Sequence, residues 1–411
     1  MQHDVIVVGA GPAGSTTAFE CGRRGASVLI LDRAKFPRDK PCGGGVSIRS
    51  AKLLPFDLSP VVERTISWIR FSWRQSGDFG RDYPQPVTYL TQRSRLDAFL
   101  LQKAVDVGVA FVPHAQVKDI RRAKSGVEVL AGAVWHQGRT LVAADGANGI
   151  AARLAGIPAR LSLGVALEGN ITPKEGVLQR WNATMGFDLG DVPGGYGWLF
   201  PKGDHVNVGV GGWRTAGPTL RRRLDRLVRY YGFEPGQLWG LRGHYLPVRT
   251  GASCLTEGNA LAVGDAAGLL DPLTGEGIYA AIFSGQTASE HLAAYLSGAA
   301  PSLAGYEDEL RETLLPELDA GRTLHTLFHL SPRMYVRLQR RSPKVWQAVC
   351  KLLRGERSYL DVRRRLGLGW HLAALIAAVT YLVTSLRREA AYGGAHGQGQ
   401  RGLLGRLRTP A

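Results

Sequence analysis

The first thirty-three residues constrain this chain more than any other part of it. His3 to Val8 is a short run rich in Val and Ile, as a buried strand requires. Gly9-Ala-Gly11-Pro-Ala13-Gly14 follows at once, then a helical pattern from Ser15 to about Arg24, then a second apolar run from Ala26 to Leu31 that ends at Asp32. Strand, glycine turn, helix, strand and acid at this spacing predict the βαβ unit that binds a dinucleotide. Gly9 permits the tight turn, Gly11 leaves the backbone open to a pyrophosphate, and Gly14 lets helix and strand pack closely. The helix N-terminus offers N–H groups and partial positive charge to the phosphates. Asp32 can accept hydrogen bonds from ribose hydroxyls. The unit alone does not separate FAD from NAD.

At 411 residues the chain has room for two or three domains. Cys21, Cys42, Cys254 and Cys350 are widely spaced, with no CxxC pair and no disulfide framework, which fits a reducing cytoplasm. The chain opens directly on a strand, so no signal peptide is expected. The ten histidines include no HExxH. His325 and His329 have helical spacing but read as core or surface residues, and no metal site is expected. Net charge is +17, and its place matters more than its size. Residues 320–411 hold 17 Lys and Arg against Glu356, Asp361 and Glu389, so +14 of the total belongs to the tail. No nucleic-acid motif accompanies this charge, and nucleic acid is not expected as a partner.

After Asp32, a turn-rich loop from Lys35 to Lys40 leads into Pro41-Cys42-Gly43-Gly44-Gly45. Three glycines after a cysteine mark backbone that passes close to something bulky; if the dinucleotide is FAD, the isoalloxazine ring is the candidate. Cys42 has two readings. It is a packing thiol, or it is a thiol facing the flavin, where an unperturbed thiol, mostly protonated near neutral pH, could hand over a proton. Short strands are expected at Ile66–Ser72 and Val87–Thr91, a helix from Thr91 to about Val107, and a strand at Phe111–Val117. A hairpin of Val127–Leu130 with Ala133–His136 precedes a buried strand from Thr140 that ends in the acidic turn Asp145-Gly146. From Gly164 to Trp213 alternating segments predict an antiparallel sheet. Inside it, Tyr196-Gly-Trp198-Leu-Phe200-Pro201 is either ordinary core or the wall of a large apolar pocket. Thr219 to Tyr231 reads as a basic helix with a solvated face. Leu261 to Asp265 is a second strand-to-turn junction, followed by Gly275-Glu276-Gly277-Ile278 and a helix to about Leu296. Two distant glycine junctions suit a long dinucleotide cradled at both ends, and Asp265 sits where it could bind a polyol chain.

With these motifs in order over about residues 1–300, the chain resembles the flavoprotein superfamily of aromatic hydroxylases and, more closely, the geranylgeranyl reductase family. The resemblance implies FAD, with its pyrophosphate at Gly9, Gly11, Ala13 and Gly14, and Asp32 where these proteins usually carry Glu. It further implies that Cys42, Gly43 and Gly44 form the reductases' cysteine–glycine motif near the flavin, and that Arg93, with Leu96-Asp97 behind it, stands at the FAD site. By the same resemblance Val117 touches the adenine, Asp145-Gly146 is the superfamily's acidic–glycine signature, and Gly264-Asp265 holds the ribityl chain. Gly277-Ile278 lies beside the flavin ring, with Gly275 in the same cofactor-binding loop. Asn148-Gly149 replaces the serine often seen after the acidic–glycine pair. Tyr196, Trp198, Phe200 and Pro201 resemble the reductases' substrate motif. The same stretch partly resembles the Trp-rich signature of flavin-dependent halogenases, although its first tryptophan position is Tyr196 here.

The implied reaction is FAD-dependent saturation of carbon–carbon double bonds in a geranylgeranyl-type chain on a lipid, a quinone or a chlorophyll precursor. Cys42 is the first candidate proton donor and Tyr196 the second. Only one complete dinucleotide-binding unit is legible and FAD claims it, so electrons would come from transiently bound NAD(P)H or from a reduced ferredoxin. The alternative expectation is a flavin-dependent monooxygenase of an aromatic or polyketide substrate.

Leu366 to Leu386 carries no charged residue over 21 positions, between Arg363-Arg-Arg365 and Arg387-Arg388. It reads as a core helix, a membrane-spanning helix, or a helix lying in or dipping into the cytoplasmic leaflet. Basic clusters on both sides count against spanning, and the tail's charge points to an anionic membrane surface as a partner. The expected architecture is α/β: a Rossmann-like FAD-binding domain with an inserted antiparallel β-sheet substrate domain and a C-terminal helical, basic tail. Residues 1–60, 88–150 and 245–300 are assigned to the first, 61–87 and 151–244 to the second, 301–390 to a helical membrane-associating region and 391–411 to a disordered tail. A cytoplasmic, peripherally membrane-associated protein is expected.

Overall fold

The computed structural model describes residues 2–123, 126–251 and 253–392. The chain forms two compact units, Met1–Glu63 with Thr91–Gly164 and Tyr245–Leu318, and Arg64–Leu90 with Val165–His244 and Asp319–Ala411.

In the first unit the strand Gln2–Val8 is central. It pairs in parallel with Val28–Leu31 on one side, Val5 opposite Val28, and with Val134–Ala143 on the other, Val8 opposite Ala143. Ala110–Val112 and Ala260–Ala262 extend the parallel sheet at its two ends. The chain leaves the central strand toward one side first and returns to the other later. That reversal opens a crevice at the carboxyl ends of the strands, where such sheets bind ligands. Val5, Ile6, Val7 and Leu141 have no exposed area; cover on both faces is why these runs are continuously apolar rather than alternating. Helix Pro12–Arg23 packs against Ile278–Leu296 and Arg93–Asp106. The approach to the former is close, since a Cβ on Gly285 would lie 2.9 Å from the Ala13 carbonyl oxygen. Helix Ala304–Glu312 closes the unit: Tyr306 is fully buried and its hydroxyl donates to the Ala262 carbonyl at 2.9 Å.

Two elements differ from the sequence pattern. The hairpin arm at 133–136 and the buried strand from Thr140 are one strand, Val134–Ala143. Its first half pairs antiparallel with Gly126–Ala131, Leu130 opposite Trp135, and its second half enters the parallel sheet. Exposure changes along it from open to buried, so one element carries two periodicities. Conversely, Phe111–Val117 is not one strand. Ala110–Val112 and Val117–Ala123 are separated by a turn in which His114 has φ 56°. That turn wraps Asp32, whose N–H donates to Val112 and whose carbonyl accepts from Ala115.

The second unit is built on a seven-stranded sheet in the order Trp239–Arg249, Leu161–Ile171, Val206–Trp213, Tyr196–Pro201, Thr184–Leu189, Trp68–Trp73, Phe79–Asp82. The sheet is mixed: Thr184–Leu189 and Trp68–Trp73 run parallel between antiparallel neighbours. Helix Leu220–Tyr230 buries Leu220, Leu224, Leu227 and Val228 and leaves Arg221, Arg222 and Arg229 exposed. Period two divides the strand Tyr196–Pro201: Gly197 lies under Leu227, whereas Tyr196 and Phe200 join Phe71, Phe187, Phe328, Val336, Trp346 and Cys350 in one apolar cluster. Helices Leu314–Leu330, Pro332–Arg341 and Pro343–Leu353 supply the last four of these.

Helices Tyr359–Leu366 and Leu368–Tyr392 follow. Among the described residues no helix is long and apolar enough to cross a membrane. Of the expected disordered tail, 391–411, the first two residues belong to the helix Leu368–Tyr392 and the rest lies outside the described residues.

Candidate functional site

The three junctions at the carboxyl ends of the central strands meet in the first unit. Gly9 has φ 104°, and a Cβ there would lie 2.4 Å from the Ala144 carbonyl oxygen. A Cβ on Gly14 would sit 1.9 Å from the Gly9 carbonyl oxygen. Both glycines are therefore required by the protein itself. Gly11 is different. Its backbone is extended, with φ −75° and ψ −176°, which any residue adopts, and the nearest atom to a Cβ there is Arg38 Nη2 at 3.8 Å. The space above Gly11 is open, and helix Pro12–Arg23 begins beside it with no capping side chain. An N-terminus whose N–H groups are left for a ligand, under a bare backbone, fits a pyrophosphate. Asp32 holds this turn in shape: Oδ2 accepts from Ala10 N at 2.7 Å and Oδ1 from Ala34 N at 2.8 Å. Each oxygen keeps a lone pair for a further donor. Val117 is buried at the start of the strand that follows the turn around Asp32.

The second junction packs on the first. Gly264 has φ 56°, and a Cβ on it would come within 2.9 Å of Ala13 Cβ. Asp265 projects from this turn with Oδ2 3.7 Å from Lys40 Nζ, and Gly277 leaves room for its carboxylate, 3.0 Å from where a Cβ would stand. Gly275 has φ 71°, and Ile278 opens the helix that ends at Leu296. The loop between them is fastened by Glu276. Its Oε1 accepts from Ser50 Oγ at 2.8 Å and its Oε2 from Arg49 at 3.2 Å.

The third junction carries Asp145. Its Oδ2 accepts from Ile150 N and Ala151 N at 2.7 and 2.9 Å, capping a short helix. Its Oδ1 is buried with no hydrogen-bond partner among the described residues. Burial raises the carboxyl above its ordinary range despite those bonds. A Cβ on Gly149 would lie 2.2 Å from Oδ1, which gives a steric reason for glycine at this position.

Cys42 lies in a charged cluster. Its sulfur accepts from Gly44 N at 3.3 Å, the Arg93 charge lies near it, and Gly44 is held in turn by Thr91 N donating to its carbonyl. Arg93 forms a two-pronged pair with Asp97, 2.7 Å on each arm, and Arg38 Nη1 reaches the same carboxylate at 2.8 Å. Asp97 has no exposed area. Burial alone would lower the Arg93 guanidinium, but Asp97 and Cys42 outweigh it and keep the charge. Lys40 is pulled below its ordinary value by burial and by Arg93. The first unit thus brings together Gly9, Gly11, Ala13, Gly14, Asp32, Cys42, Gly43, Gly44, Arg93, Val117, Asp145, Asp265, Gly275, Gly277 and Ile278.

Tyr196, Trp198, Phe200 and Pro201 belong to the second unit. Their rings form a continuous row, Tyr196 to Trp198 at 6.1 Å and Trp198 to Phe200 at 6.3 Å, with Phe187 edge-on to Tyr196 and Phe200. Trp198 is buried, donates to Asn207 Oδ1 at 2.8 Å, and lies where a Cβ on Gly209 would strike its ring.

Sequence reasoning did not single out Arg38, Lys40, Asp97 or Glu276 as site residues. The first two lie in a loop that reads as a turn, and Asp97 carries only the i, i+4 spacing to Arg93. Glu276 meets its partners more than 200 residues away.

Residues 2–185 match the FAD binding domain family. The menaquinone reductase of Mycolicibacterium smegmatis is 34% identical over 318 residues, covering 70% of this chain and 76% of that protein. Digeranylgeranylglycerophospholipid reductase 1 of Methanopyrus kandleri is 32% identical over 372 residues, covering 80% and 94%. A geranylgeranyl bacteriochlorophyll reductase-like protein of Thermoplasma acidophilum shares the fold, with a TM-score of 0.71 at 23% identity over 89% of this chain and 98% of that one.

Proposed function

Since the chain belongs to the geranylgeranyl reductase family of FAD-dependent oxidoreductases, we propose that it saturates carbon–carbon double bonds of a prenyl chain carried on a lipid, a quinone or a chlorophyll precursor. One observation carries this reading beyond the family: the Cys42 sulfur, held by Gly44 N at 3.3 Å, sits near the Arg93–Asp97 ion pair and two positions after Lys40, which reaches Asp265. Bound FAD, once reduced, supplies the hydride. The chain's own residues must supply the proton and the surroundings. An isolated alkene is not polarised, so the proton has to arrive together with the hydride. Cys42 holds that proton at Sγ, and the negative sulfur left behind is met by the Arg93 guanidinium and the Lys40 charge. Tyr196 is the second candidate donor.

In this reading Gly9, Gly11, Ala13 and Gly14 cradle the pyrophosphate, and Asp32 takes the ribose. Val117 borders the adenine, and Asp145, through its unpartnered oxygen, accepts from the cofactor or a bound water. Asp265, held near Lys40, takes the ribityl chain, and Gly43, Gly44, Arg93, Gly275, Gly277 and Ile278 line the flavin. Tyr196, Trp198, Phe200 and Pro201 form an apolar wall for the prenyl chain. Electrons arrive from NAD(P)H or reduced ferredoxin, and the lipid-like substrate is collected at an anionic membrane surface.

The test is anaerobic incubation of FAD-loaded, chemically reduced protein with geranylgeranylated lipid and menaquinone, followed by mass spectrometry. Products gaining two mass units per saturated bond support the reading. Turnover that requires oxygen and adds sixteen mass units would replace it with the monooxygenase.

A further inference from the structure

The terminal helix Leu368–Tyr392 is inside out for a helix facing water. Its described buried positions are Trp370 and Ala377, at 5% and 6% exposure. The large aliphatic residues among its described positions point outward: Leu368, Leu372, Leu375, Ile376 and Val379 are 89, 62, 62, 43 and 53% exposed. Their spacing of i, i+4, i+7, i+8 and i+11 makes one continuous stripe. A water-facing helix places such residues inward, and a contiguous exposed stripe marks an interaction surface.

The surrounding charge identifies what covers it. Arg363, Arg364 and Arg365 stand exposed directly before the stripe. A second exposed apolar row, Leu330, Met334 and Leu338, is edged by exposed Arg333, Arg337 and Arg341 on Pro332–Arg341. Among the described residues, the two acids that precede the stripe are engaged, Asp361 with Arg364 and Glu356 with Arg354. Aliphatic stripes bordered by arginines with uncommitted charge match acyl chains beneath anionic headgroups, because long arginine stems lie along the apolar surface while their heads reach phosphate.

We propose that the stripe on Leu368–Tyr392 lies in the plane of an anionic bilayer, its leucines at the headgroup–acyl boundary and Arg363 and Arg365 on the phosphates. The proposal rests on the reading of a lipid-borne substrate but is tested apart from it. Full-length FAD-loaded protein is sedimented with vesicles of equal phosphatidylglycerol and phosphatidylcholine, and with phosphatidylcholine alone. Binding to the mixed vesicles and not to the neutral ones is expected. Leu372→Glu with Leu375→Glu is expected to weaken it at least tenfold, and Arg363→Gln with Arg365→Gln by roughly fivefold per arginine. Flavin absorbance and reduction of a short, soluble prenyl alcohol serve as readouts that these surface variants leave unchanged, so loss of reductase activity and loss of docking are told apart. Undiminished sedimentation of the leucine variant overturns the proposal. So does light scattering that finds a dimer broken by that variant with no vesicle binding, which would assign the stripe to a second copy of the chain.

Discussion

Gly11 and Gly14 sit three positions apart in one motif and are glycine for different reasons. At Gly14 a Cβ would overlap the Gly9 carbonyl, so Gly14→Ala is expected to give insoluble or unfolded protein. At Gly11 a Cβ meets open space from an ordinary backbone conformation. Gly11→Ala should leave the melting temperature of the FAD-free protein within a degree or two, a change of about 0.5 kcal/mol or less, yet weaken FAD binding at least tenfold by flavin fluorescence titration. Cys42 offers a parallel separation. Cys42→Ala should retain FAD and its absorbance spectrum while alkene reduction falls by about 10²–10⁴-fold, the range for loss of a positioned acid. An enzyme that keeps its rate would assign Cys42 to packing. Asp97 pairs with two arginines from inside the unit. Asp97→Asn leaves buried charge without its partner, which costs about 3–5 kcal/mol and should appear as a lowered urea midpoint. Gly9 and Gly14 were legible because their backbone roles leave a spacing. Arg38 and Lys40 were not, because nothing in a loop's composition says which buried carboxylate its cations will meet.

Among the elements, those with a single environment matched their sequence pattern. Strand Gln2–Val8 is buried on both faces from Val5 on and Arg93–Asp106 has one buried stripe, and both stand where the pattern put them. Val134–Ala143 did not, because its two ends serve different sheet partners and its exposure changes midway. The pairing of Thr184–Leu189 with Trp68–Trp73 joins segments over a hundred residues apart, and no local pattern encodes whether such strands run parallel. Helix Leu314–Leu330 carries a pH dependence invisible to spacing. His325 contacts the Gly194 carbonyl, and His329 lies 4.4 Å from His325, ring to ring, and 6.0 Å from Trp213. Burial, with His325 beside it, lowers His329 to about 3. The folded chain therefore refuses a proton that the unfolded chain accepts below about 6.5. Stability attributable to this site is complete above pH 6.5 and falls as pH drops toward 3, at up to about 1.4 kcal/mol per pH unit. Urea titrations at pH 7.5 and 5 should show the loss, and His329→Phe should flatten it.

At the scale of the molecule, the first unit is assembled from three separate stretches of chain, Met1–Glu63, Thr91–Gly164 and Tyr245–Leu318. A truncation after residue 258 keeps the whole glycine fingerprint and lacks Ala260–Ala262, the Gly264 turn and helix Ile278–Leu296. It is expected to take up no FAD, as a colourless product on reconstitution would show, whereas the full chain at a hundredfold excess over its dissociation constant should gain about 2.7 kcal/mol. The contact between Ala13 and Gly264 also has a meaning for biosynthesis. A ribosome delivers helix Pro12–Arg23 early, and roughly 250 codons pass before helix Ile278–Leu296, which packs on it, emerges. Through more than half of translation the buried face of the earlier helix has a neighbour missing, a state prone to aggregate. A cell short of chaperones should lose this protein as it is made, before flavin supply can matter.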